Sequence, residues 1–111
     1  SGARCFENLL ATGAPFDAAL CENDMIALGV YDRAMRDNRR IPEEFGLVGY
    51  DDMFFAGLPM TQLTTMAQPK QKIGIKAANL LLDLIADPEK TRHRSIVYNP
   101  ELIIRKTTRL L

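Results

Sequence analysis

The chain has 111 residues, 47% of them hydrophobic, and its 14 Lys and Arg are cancelled by 14 Asp and Glu. That length suits one domain with a single core, and that hydrophobic content points to a packed interior rather than disorder. Zero formal charge excludes the electrostatic footprint of a nucleic-acid or anionic-membrane surface, and no apolar run approaches the roughly 18 residues of a membrane helix.

The opening "SGARCFENLL" has no Met and no basic-then-apolar leader, and reads as a piece of a longer chain. A first helix is expected over "ARCFENLLAT", with Phe6, Leu9 and Leu10 on one face and Gly13 as its stop. Ala18 to Cys21 reads as a short buried strand, with Cys21 a buried thiol. Cys5 and Cys21 have no metal or redox spacing. Asn23 or Asp24 then caps a helix from about Met25 to Asn38. Its first turns are apolar nearly all round, so more than one side should be covered. The second half, "RAMRDNRR", turns polar and stops before Pro42.

"FGLVGYDD" is a continuous apolar run of the kind found in parallel sheets covered on both faces. "LTTMAQP" is a third extended segment, closed by Pro69. "KQKIGIKAANLLLDLIADPEK" is the clearest helix, with Ile73, Ala77, Leu80, Leu81, Leu84 and Ile85 in one stripe and Lys72, Lys76, Asn79 and Asp83 away from it. Asp87-Pro88 ends it, and "SIVYNPELIIRKTTRLL" finishes the chain as one or two strands broken at Pro100. The order predicts an α/β fold with a mainly parallel open sheet flanked by helices. The long helix has an apolar face that needs a partner.

Ligands in such sheets bind beyond the carboxyl ends of the strands. "CEND", "YDD" and "AQPK" fall at three such ends, so Asn23, Asp51 and Gln68 are expected to converge. One carboxylate and two amides suit a polyhydroxylated or base-like small molecule. The plainer alternative is that Asn23 and Asp24 only cap a helix and Asp51 only opens a turn. Asp51 and Asp52 are not read as an acid/base pair, because neighbours on an extended chain point to opposite sides. A receiver-like Mg²⁺ site fits poorly, since the third strand ends in Gln68. His93, in the charged turn "EKTRHRS", reads as a solvated loop residue. With one histidine and an apolar setting for Cys21, neither a Cys/His nucleophile nor a metal site can be assembled, and no cofactor is expected.

The pieces "ENDMIALGVY", "IPEEFGLVGYDD", "LTTMAQP", "IGIKAANLLLDLI" and "ELIIRKTT", in this order and spacing, resemble the C-terminal part of the lactose-repressor/galactose-repressor (LacI/GalR) family of bacterial transcription regulators. The resemblance covers essentially the whole chain. It implies a periplasmic-binding-protein-like fold of type I, here incomplete and mostly the C-terminal lobe. Residues 1–67 would belong to that lobe, residues 68–97 to a crossover and a helix of the N-terminal lobe, and residues 98–111 to a return strand. Asn23 and Asp51 match the family's effector-contacting positions, and Gln68 stands at the crossover. Met25, Leu28, Phe54 and Phe55 match a dimer interface. The implied protein is a cytoplasmic, non-enzymatic, homodimeric regulator that binds a sugar or related polar metabolite and meets DNA only through a headpiece absent from these residues. No membrane partner is implied. The alternative is a solute-binding protein of a sugar transport system. "LPMTQLTT" and Lys70 depart from the family's usual pattern.

Overall fold

The computed structural model describes residues 1–91 and 95–109, so His93 lies outside the described residues. The elements run α1 (Gly2–Ala11), β1 (Ala18–Leu20), α2 (Asp24–Arg36), β2 (Gly46–Tyr50), a 3-10 turn (Phe54–Gly57), β3 (Thr64–Ala67), α3 (Lys70–Ala86), α4 (Pro88–Thr91) and β4 (Glu101–Ile103). They form two compact units, Ser1–Ala67 with Glu101–Leu111, and Gln68–Pro100.

In the first unit the sheet has the order β1-β2-β3-β4. β1, β2 and β3 run parallel, with Leu20 opposite Val48 and Tyr50 opposite Met66, whereas β4 returns antiparallel with Leu102 opposite Met66. The α/β order and the mainly parallel sheet agree with the sequence expectation. The tail after β4 adds a further tie at the opposite end of the strands. Thr107 accepts a hydrogen bond from the Thr64 amide at 2.8 Å and donates its hydroxyl to the Leu47 carbonyl at 2.7 Å. Its buried polar atoms are thereby satisfied inside the sheet layer.

The core lies between this sheet and the two helices α1 and α2. Phe6 and Phe45 stack at 5.3 Å, and Phe16 meets Phe45 edge-on at 5.4 Å. Ala27, Val30 and Ala34, spaced three and four apart, turn one stripe of α2 into the interior against Leu47 and Leu63. α1 crosses α2 almost backbone to backbone: a Cβ on Gly2 would lie 2.0 Å from the Ile26 carbonyl oxygen. Only a residue without a side chain fits that crossing. α1 ends where Thr12 donates its hydroxyl to the Leu9 carbonyl and Gly13 takes a φ of 66°.

In the second unit α3 spans Lys70–Ala86, the span its apolar stripe predicts, and none of its residues is buried. Asp87 breaks the helix as expected, but the chain turns at once into the short α4, with Pro88 in its first position. Ile73, Lys76, Ala77 and Leu80 line a groove of about 330 Å³ together with the segment Ile96–Tyr98. No helix among the described residues is long and apolar enough to cross a membrane.

Candidate functional site

β1 and β2 are adjacent and parallel, so the segments leaving their carboxyl ends emerge side by side. Asn23 follows β1 and Asp51 follows β2. Asn23 is extended, with φ −155°, and its Oδ1 accepts the Ile26 amide proton at 2.9 Å, which makes it the N-cap of α2. The cap fixes the amide's orientation: with Oδ1 committed to the helix, Nδ2 is left to present two N–H donors.

The expectation that Asp51 and Asp52 continue an extended chain is wrong. Both take positive φ, 107° and 47°, because the backbone reverses directly after Tyr50. Two successive left-handed L-residues cost on the order of 1–3 kcal/mol each and persist only where their surroundings over-determine them. Here the three successive backbone N–H groups of residues 51–53 are held. The Asp51 amide donates to the Met66 carbonyl at 2.9 Å, the Asp52 amide to Thr65 Oγ1 at 3.3 Å, and the Met53 amide to Asp24 Oδ2 at 2.7 Å. The Asp52 carboxylate accepts from Arg105 Nη2 at 2.8 Å, and the Arg105 Nη1 donates to the Leu63 carbonyl. Asp52 therefore anchors the turn to the chain's closing segment.

Asp24 is the residue that sequence reasoning missed. The local pattern makes it only a cap alternative to Asn23, yet it is fully buried, accepting from Thr65 Oγ1 at 2.6 Å as well as from the Met53 amide. A first-turn carboxylate gains from the helix dipole, but its partners lie far away in sequence, so only the tertiary fold reveals them. A usable signal existed in Gly49. This glycine lies mid-strand, where a glycine marks close approach of another group.

Gln68 belongs to the second unit, where its carbonyl accepts the Lys70 amide proton at 2.8 Å. The proposed interface residues divide. Phe54 is 82% exposed and Met25 60%, and Leu28 is half-buried, but Phe55 is only 9% exposed. Phe55 turns into the core of the first unit, edge-on to Phe54 at 5.6 Å, because the 3-10 turn places successive side chains on different sides. Phe55 thus offers little surface to another chain, unlike Phe54.

Cys21 is buried, and burial pushes its thiol up to about 11, with a smaller push from Cys5. It stays a neutral thiol at ordinary pH, unsuited to nucleophilic attack. Among the described residues no group of three His, Cys, Asp or Glu could hold a metal ion. A cavity of about 310 Å³ opens beside Phe16, Asp17 and Phe45. It sits at the amino ends of β1 and β2, the end opposite Asn23 and Asp51.

The sequence matches the periplasmic binding protein-like domain family over residues 2–108. It is 34% identical over its whole length to the probable HTH-type transcriptional repressor ExuR of Bacillus subtilis, of which it spans 33%. A solved LacI family transcriptional regulator from Enterococcus faecalis with bound ribose superposes with a TM-score of 0.85 at 30% identity, covering 96% of this chain and 39% of that one. The solved transcriptional regulator CelR–cellobiose complex gives 0.88 at 30% identity, covering 96% of this chain and 32% of that one. The chain thus spans about a third of the length of its relatives. On the match over nearly all its residues, the chain belongs to the periplasmic binding protein-like domain family, in the form carried by LacI-family transcriptional regulators.

Proposed function

We propose that the chain is the effector-binding and dimerisation segment of a cytoplasmic LacI-type transcription regulator, a binding protein and not an enzyme. Residues 1–67 and the return strand would form the C-terminal lobe, and residues 68–97 the crossover and a helix of the N-terminal lobe. Asn23, Asp51 and Gln68 would contact a sugar or related polar metabolite. DNA would be met through a headpiece elsewhere in the full-length protein. The observation carrying this reading is the pairing of a capped Asn23 with a conformationally held Asp51 at the carboxyl ends of adjacent parallel strands. An amide donor beside a carboxylate acceptor suits vicinal hydroxyls, which offer both an acceptor oxygen and a donor proton. Ribose and cellobiose in the related structures support a sugar-like effector. The repressor relatives favour a regulator over a transport protein.

Effector binding would act by favouring one arrangement of the lobes over another, in proportion to its difference in affinity for the two. In the full-length protein, calorimetric titration with a panel of pentoses, hexoses and their disaccharides should find a binder. Asp51→Ala should weaken it about a hundredfold, the loss expected when a buried charged hydrogen-bond partner is removed. The dimer should persist in sedimentation. Unchanged affinity would sink the role of Asp51, and a wild type that takes no sugar in the panel would sink the effector class.

A further inference from the structure

The buried carboxylate of Asp24 has no part in the effector contacts just proposed, yet it occupies the junction of everything around them. Its Oδ2 takes the Met53 amide proton and its Oδ1 takes the Thr65 hydroxyl proton. Having donated that proton, Thr65 Oγ1 is left as an acceptor and receives the Asp52 amide. Two consecutive N–H groups of the loop are thus drawn, one directly and one through Thr65, onto a single side chain in the first turn of α2. The side chain is admitted there by Gly49, since a Cβ at that position would lie 2.2 Å from Asp24 Oδ1. Directly N-terminal to Asp24 stands Asn23, directly N-terminal to Asp52 stands the left-handed Asp51, and directly after Met53 comes the exposed Phe54.

We infer that Asp24, acting with Thr65, is a positioning residue that clamps the 51–54 loop, fixing Asp51 for the effector and Phe54 for the neighbouring subunit with one side chain. The inference rests on the functional reading above for what the two ends of the loop do. The clamp itself rests on the hydrogen bonds. It gives effector occupancy and subunit contact a shared mechanical element: the loop cannot shift at Asp51 without disturbing the bonds that hold it next to Phe54.

The test is site-resolved amide hydrogen exchange on the full-length protein, which requires no effector. Asp24→Asn keeps the volume but turns an N–H₂ group towards one of two donors. It should speed exchange at Asp52 and Met53 about tenfold or more, the expected consequence of losing one charge-assisted hydrogen bond. Amides of α1 and of the β1–β2 ladder should keep their protection. Thr65→Val should speed exchange at Asp52 in the same way, and Thr65→Ser should restore it by returning the hydroxyl. Sedimentation of Asp24→Asn should also show a weaker dimer. Wild-type exchange at both amides, or an increase spread evenly over the chain, would overturn the clamp, and Thr65→Val decides the matter should the Asn variant fail to fold. Failure of the sugar panel would remove the effector reading and leave this exchange pattern standing.

Discussion

Gly49 shows how much a single missing atom decides here. The nearest neighbours of a Cβ at this position would be Asp24 Oδ1 at 2.2 Å and Leu63 Cδ2 at 3.0 Å, and both residues are buried. The carboxylate cannot swing aside, because both of its oxygens are engaged by hydrogen bonds. Gly49→Ala is therefore expected to destabilise the folded chain by about 2 kcal/mol, in the range of overpacked cores. Urea denaturation of the full-length protein would measure the loss. A midpoint within error of wild type would mean the loop gives way at no cost. At this scale the sequence was only partly legible. Asn23 as a cap and Cys21 as a buried thiol follow from local pattern, since neither depends on distant partners. The roles of Asp24 and Arg105 do not, because their partners Thr65 and Asp52 lie 41 and 53 residues away.

The first half of α2 and the loop after β2 share an exposed apolar surface on the first unit. The Asp24–Met53 hydrogen bond ties the loop to the first turn of the helix, and Tyr31 donates its hydroxyl to the Met60 carbonyl at 3.1 Å about two turns further along. Phe54 at 82% exposure and Met60 at 80% stand out from this surface. Apolar side chains so displayed, beside a helix already buried on its other stripe, are the ground on which the proposed subunit contact rests. Phe54→Asp combined with Leu28→Asp should weaken the full-length dimer at least about thirtyfold, the loss of one central aromatic anchor. Sedimentation velocity across a dilution series measures it, and an unaltered dimer would remove this interface. The elements themselves were legible: continuous apolar runs mark β1 and β2, although β1 is an edge strand with Leu20 79% exposed and not the buried strand expected, and Pro69 and Asp87 bound α3 to the residue. The loop was not, because the alternation rule for an extended chain fails where two aspartates turn left-handed, and the inward turn of Phe55 comes from the 3-10 turn beyond them, which no local pattern announces.

Taken over the whole molecule, apolar surface is distributed unequally between the two units. The first unit buries Phe6, Phe45, Leu47 and Leu63 almost completely, whereas α3 buries nothing, leaving Leu81 58% and Ile85 72% exposed. A helix with a stripe of this kind is stable only when the stripe is covered. The spacing of the stripe is plain from the sequence, whereas its cover is not: only the family resemblance points to one, a second lobe, and no local pattern does. The same substitution should therefore have opposite effects in two settings. In the isolated chain of 111 residues, Leu81→Lys with Ile85→Lys should raise solubility and reduce self-association, because it removes exposed apolar area and adds charge. In the full-length protein the pair should cost about 3–6 kcal/mol, the sum expected for two large aliphatic side chains driven from a covered to an open site. Thermal denaturation of the longer protein and sedimentation of the shorter one read the two arms. No loss of stability in the full-length protein would mean that α3 stays open there, and the assignment of residues 68–97 to a second lobe would fall with it.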